Sequence, residues 1–163
     1  MLRLLNKQYA LGIDKKQLSV YALQLGSDAP FFVWNKPAYA TSRGEILEPV
    51  ALDLSGYALL IVNPGIHVST ADAFREISLR KEVTDLRIAI QNPVDQWKKL
   101  VVNDFETMVC QKHPSLLQLK QQLHNLGALY ASMTGSGSTF YALFEKKIVS
   151  PLNFPPGSFY KWV

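Results

Sequence analysis

The sequence predicts an α+β sandwich built on one sheet. Three observations carry that expectation. Residues 57–62 are a continuous apolar run that stops at Asn63-Pro64-Gly65, the mark of a buried strand. Residues 114–126 put Leu116, Leu119, Leu123 and Leu126 on one helical stripe, which Gly127 ends. Tyr130 to Met133 and Thr139 to Phe144 read as two strands around the loop Thr134-Gly135-Ser136-Gly137-Ser138.

The remaining elements follow in chain order. Met1 to Tyr9 is helical in pattern with no capping residue ahead of it, and Gly12 can end it. Asp14 caps a second helix, whose apolar positions Leu18, Tyr21, Ala22 and Leu25 share one face; Gly26 closes it. The aromatic run Phe31 to Trp34 predicts a strand, followed by a turn at Asn35-Lys36-Pro37. Ala38 to Thr41 and Glu45 to Leu47 predict two more strands, separated by Ser42-Arg43-Gly44. Ser69-Thr70 can cap a helix through Ile77, and two or three helices follow, punctuated by Pro93 and Pro114. Asn103-Asp104-Phe105-Glu106 opens one of these, with Asp104 as its cap. Pro155-Pro156-Gly157 introduces a short last strand within residues 154–163. A boundary near residues 51–56 divides a partial first unit from a complete second one.

A chain of 163 residues suits one domain, or one domain and part of another. Its apolar fraction of 48% is enough for a packed core and excludes general disorder. The formal charge of +4 is compatible with an anionic ligand. The basic residues come in scattered pairs such as Lys15-Lys16, Arg80-Lys81, Lys98-Lys99 and Lys146-Lys147, which argues against a nucleic-acid groove. The single cysteine, Cys110, precludes an internal disulfide framework and fits a reducing cytoplasm; its place in a helical pattern reads as a small core residue. No apolar run is long enough to cross a bilayer, and the first seven residues are too short in their apolar part for a signal peptide. His113 and His124 lack metal-ligand spacing, so no protein metal site is expected.

Two features carry chemistry. Asp28 is a lone carboxylate on a turn, where it can serve as a base or merely bond its own backbone ahead of Ala29-Pro30. The glycine-serine loop can face backbone N–H groups toward a phosphate, or be only a tight turn between strands. A base beside an anion cradle is what phosphoryl transfer to a hydroxyl needs.

Five motifs, Leu25-Gly-Ser-Asp-Ala-Pro-Phe-Phe32, Arg43-Gly44-Glu45, Val62-Asn-Pro-Gly-Ile-His-Val-Ser-Thr-Ala71, Asn103-Asp-Phe-Glu106 and Met133-Thr-Gly-Ser-Gly-Ser138, resemble those of the GHMP kinase superfamily in order and spacing. The resemblance implies that residues 1–52 are a remnant of the N-terminal kinase domain, a fold akin to a ribosomal-type domain. Residues 53–163 would be the C-terminal domain, a ferredoxin-like α/β sandwich with extra helices. It implies an ATP-dependent kinase acting in non-mevalonate isoprenoid precursor synthesis on the 2-hydroxyl of a methylerythritol linked to cytidine diphosphate. Asp28 would be the base, and Gly135, Ser136, Gly137 and Ser138 would stand near the nucleotide phosphates. His67, Thr70 and Phe74 would belong to the cytidine-erythritol pocket, although Thr70 could be only a helix cap and Phe74 only core. Magnesium would arrive with ATP. Ser27, Ala29 and Ser42 depart from the family's commoner alanine, valine and glycine. Relative to the family, the stretch bearing a lysine and the main glycine-rich loop is absent, so the chain alone is expected to be inactive or very weak. The alternatives are a non-catalytic binding or interaction module and, less favoured, a nucleic-acid-binding domain.

Overall fold

The computed structural model describes residues 1–77, 84–149 and 151–163, so Arg80 and Lys81 lie outside the described residues. The chain divides into two compact units, Met1–Leu52 and Asp53–Val163.

The first unit holds α1 (Leu2–Gln8), α2 (Lys15–Leu25), α3 (Ala29–Trp34) and an antiparallel hairpin of β1 (Ala38–Thr41) and β2 (Ile46–Pro49). Asp14 caps α2 by accepting from the Gln17 N–H at 2.7 Å. Leu18, Ala22 and Val33 form its small core, with Leu2, Ile13 and Ala29 packed against them.

The expected strand at Phe31 to Trp34 is instead the helix α3. Pro30 sits in its first turn, where a fixed φ suits a helix and the missing N–H costs nothing. Asn35 ends it in the left-handed region (φ 51°), its N–H donating to the Phe31 carbonyl at 2.7 Å. The buried residues are Pro30 and Val33, three apart, which is helical spacing; the aromatic rings whose strand propensity misleads are exposed.

The second unit is the α+β sandwich. Its sheet contains β3 (Ala58–Asn63), β4 (Tyr130–Met133), β5 (Phe140–Phe144) and β6 (Phe159–Trp162), ordered β4-β5-β3-β6 and antiparallel throughout. Between β3 and β4 run α4 (Thr70–Glu76), α5 (Leu86–Ala89), α6 (Trp97–Leu100), α7 (Asp104–Lys112) and α8 (Pro114–Asn125). Register aligns Val62 with Phe140 and Met133, and Leu60 with Ala142 and Ala131. These residues share one core with Val109 and Cys110 of α7 and Leu116, Leu119 and Leu123 of α8. Each such leucine withdrawn from water contributes about 1.5–3 kcal/mol before entropy is counted. Burial pushes the Cys110 thiol up, so it stays protonated as a core residue. Tyr130 packs edge-to-face on Trp97 at 5.6 Å, and its hydroxyl donates to the Val101 carbonyl at 2.7 Å. At the end of α8, His124 Nδ1 donates to the Ala128 carbonyl at 3.1 Å.

Candidate functional site

Asp28 stands in the turn from α2 to α3, in helical backbone conformation (φ −84°, ψ −12°). It occupies the cap position of α3, yet its exposed side chain makes no capping hydrogen bond. What lies close to it is Gly44, in the hairpin loop of residues 42–45. A methyl group at Gly44 would sit 2.6 Å from Asp28 Oδ1, and Gly44 has φ +105°. Only glycine meets both demands without strain. Glu45 fixes this loop: its Oε2 accepts from the Arg43 N–H at 2.8 Å and its Oε1 from the Ser42 hydroxyl at 3.1 Å. Its own backbone N–H, aided by that of Arg43, holds the Glu45 carboxyl below the usual range. The Arg43–Glu45 ion pair at 3.8 Å, with an exposed guanidinium, adds little. Ser42 also has a positive φ of 60°, a conformation glycine adopts more readily.

In the second unit, the glycine-serine loop is tied down at several points. The Thr134 N–H donates to the Thr139 carbonyl at 2.8 Å, and the Gly137 N–H to the Thr134 carbonyl at 3.1 Å. Ser138 is buried, and its hydroxyl donates to the Ile66 carbonyl just beyond β3. Asn63 Nδ2 donates to the Thr139 hydroxyl at 3.1 Å. Gly137, at φ +97°, presses on Met133: a methyl there would lie 2.7 Å from the sulfur. Gly135, at φ +56°, meets nothing within 4 Å at the same test, so its exposed backbone can be approached closely.

The start of α7 reaches the same loop. Asn103, rather than Asp104, is the cap of α7: its Oδ1 accepts from the Phe105 N–H at 2.9 Å. Its Nδ2 donates to the carbonyls of Met133 at 2.7 Å and Gly135 at 2.8 Å. Glu106 is buried; its Oε2 accepts from the Met133 N–H at 2.8 Å and the Ser132 hydroxyl at 3.2 Å, while Lys120 pairs with Oε1. The sequence pattern predicts only that this motif opens a helix. A signal was present: Glu106 lies three and four residues before Val109 and Cys110 on the core-facing stripe, and a buried acid requires partners.

Thr70 and Phe74 lie one turn apart on α4. Ser69 caps that helix by accepting from the Asp72 N–H at 3.3 Å, which leaves the Thr70 hydroxyl 2.9 Å from the Ser136 hydroxyl. Phe74 is 64% exposed, so it is not a core residue; its ring meets Phe105 edge-to-face at 4.9 Å. Thr70 and Ser136 are thus brought together, with Phe74 beside them on the helix. His67 faces elsewhere, into a cleft of about 250 Å³ that it lines with Ser69, Asp72, Met108, Lys112 and His113. Asp28 belongs to the first unit and the other candidates to the second. Among the described residues there is no group of three or more His, Cys, Asp or Glu able to hold a metal ion, and no helix long and apolar enough to cross a membrane.

Residues 89–150 match the family described as GHMP kinases C terminal. The chain is similar to 4-diphosphocytidyl-2-C-methyl-D-erythritol kinases. That of Bacteroides thetaiotaomicron is 42% identical over 93% of this chain and 55% of its own length. That of Azobacteroides pseudotrichonymphae is 45% identical over 90% of this chain and 55% of its own. A crystal structure of 4-(cytidine 5'-diphospho)-2C-methyl-D-erythritol kinase superposes with a TM-score of 0.73 at 26% identity, covering 85% of this chain and 51% of that one. A homoserine kinase from Cytophaga hutchinsonii, with a TM-score of 0.59 at 15% identity, shares the fold. The chain spans about half the length of the curated relatives it matches.

Proposed function

We propose that the chain supplies the base and one nucleotide-facing loop of an ATP-dependent kinase that phosphorylates the 2-hydroxyl of 4-diphosphocytidyl-2-C-methyl-D-erythritol. The observation that carries this reading is the Asp28 carboxylate. It sits where it could cap α3 and does not, leaving it available to a substrate proton. The carbon bearing the acceptor hydroxyl also bears the methyl group, so the nucleophile is tertiary and crowded, and orientation by a fixed base matters the more. Asp28 accepts the hydroxyl proton as that oxygen bonds to phosphorus. ATP with Mg²⁺, the metal entering on the nucleotide phosphates, supplies the phosphoryl group. The open backbone at Gly135 and the neighbouring Ser136 fit a phosphate approach, with Gly137 and Ser138 holding the turn in shape. Thr70, beside Ser136, and the exposed ring of Phe74 line the cytidine-bearing substrate, with His67 contributing from its adjoining cleft. The buried cysteine suits a reducing cytoplasm as the working compartment.

A second reading is a non-catalytic binding module of the same fold. A nitrogen-15 NMR titration of the chain with ATP-Mg²⁺ and separately with cytidine diphosphate tests the site on both readings. Shifts confined to residues 134–138 for ATP, and to Thr70 and Phe74 for cytidine diphosphate, are the expected result. Shifts at neither place would remove the site.

A further inference from the structure

The cap and first turn of α7 hold the β4 end of the glycine-serine loop without themselves lying in it. Asn103 holds the carbonyls of Met133 and Gly135, residues that flank Thr134, while Glu106 accepts from the N–H of Met133. Glu106 is itself fixed by Ser132 and Lys120. Asn103 donates two hydrogen bonds, and the Glu106 carboxylate accepts two charge-assisted ones, each over a sequence separation of about thirty residues. Capping α7 needs only Asn103 Oδ1. The two donors on Nδ2 are surplus to the helix, and both go to the loop.

We propose that Asn103 and Glu106 are positioning residues for nucleotide binding: they fix the shape in which the loop of residues 134–138 meets the nucleotide phosphates. The inference rests on the nucleotide reading of that loop given above. With its carbonyls at 133 and 135 committed to Asn103, the loop directs these acceptors away from an incoming anion. Without the two donors, they are free to turn toward it and repel it. Gly135 and Gly137 supply the backbone freedom; Asn103 and Glu106 remove the surplus.

The test uses the 163-residue chain and two variants that both keep an acceptor to cap α7. Asn103→Asp replaces the donors by a charge, and Asn103→Ser removes them without one. Two readouts are taken: hydrogen exchange at the Thr134 and Gly137 amides, and the Kd for ATP-Mg²⁺ by NMR titration. Amides of β3 and β5 serve as the control for folding. In both variants the loop amides are expected to exchange at least tenfold faster and ATP to bind at least tenfold more weakly, with β3 and β5 unchanged. Loop exchange within twofold of wild type would overturn the proposal. So would faster exchange with unaltered ATP affinity. A wild-type loop that does not respond to ATP would overturn the underlying nucleotide reading, an outcome told apart because it requires no variant. Glu106→Gln keeps an acceptor for the Met133 N–H and is expected to lie between wild type and Asn103→Ser in both readouts; a Glu106→Gln chain matching wild type in both would exclude Glu106 from the role.

Discussion

Gly44→Ala separates a positioned carboxylate from an ordinary turn residue. The added methyl would lie 2.6 Å from Asp28 Oδ1. That is roughly 0.9 Å inside the ~3.5 Å at which non-bonded heavy atoms rest. The carboxylate is the end of an exposed side chain, so it can swing clear at little cost in stability. The backbone penalty is for a non-glycine residue at φ +105°, about 1 kcal/mol. In a chain of this size that lowers Tm by about 2–4 °C. A displacement approaching 1 Å at the base can cost about a hundredfold in turnover. Expected, therefore, is a small loss of Tm beside a turnover reduced about thirty- to a hundredfold, with substrate KM nearly unchanged. The assay is steady-state phosphoryl transfer by the chain joined to the part of the Bacteroides thetaiotaomicron relative that the match leaves uncovered, alongside calorimetric melting. Turnover within twofold of wild type in a folded variant would refute the reasoning, because the Gly44 contact would then have no bearing on the base.

Three other outcomes follow from the same geometry. Gly135→Ala meets open space and Gly137→Val meets the buried Met133 sulfur, so in urea unfolding the second should cost several-fold more stability than the first, while Gly135→Ala should chiefly weaken ATP binding in calorimetry; equal costs would refute the distinction. Burial holds His124 below its usual value near 6.5; the folded state therefore binds fewer protons than the unfolded one, and the associated stability, present above that value, is lost as pH falls through the lowered one. Urea midpoints of the wild type measured at pH 7.5 and 5.5 should fall on acidification, and by less in His124→Gln. Amides of α2 should exchange faster than those of β3 and β5, because only Leu18, Ala22 and Val33 form the first unit's core whereas the second buries a continuous sheet-and-helix core; equal protection in a hydrogen-exchange experiment would contradict this.

Elements with strong local patterns were legible in the sequence. The apolar run of β3, the leucine stripe of α8 and the paired strands around the glycine-serine loop all stand where periodicity places them. The α+β class followed from their order. At Phe31 to Trp34 the aromatic strand preference outweighed Pro30 and Asn35, the two residues that in fact set the start and stop of α3. A carboxylate caps well, which makes Asp104 the expected cap, but Asn103 also has donors to spend on the loop, a partner thirty residues away. The close approach of Gly44 to Asp28 was hidden for a similar reason. Spacing along the chain shows that a glycine is present but not which side chain it must make room for. Long-range polar contacts carry no period.

Asp28→Asn, measured by single-turnover phosphoryl transfer, bears most directly on the central claim. Asparagine keeps the size and removes the carboxylate proposed as the base. In the chain joined to the uncovered part of the Bacteroides thetaiotaomicron relative, the phosphorylation rate at saturating ATP-Mg²⁺ should fall about a hundredfold or more. Affinity for the cytidine-bearing substrate should stay within a few-fold. A folded Asp28→Asn protein that transfers phosphate at a near-wild-type rate would contradict the account, leaving Asp28 as a turn residue beside a glycine.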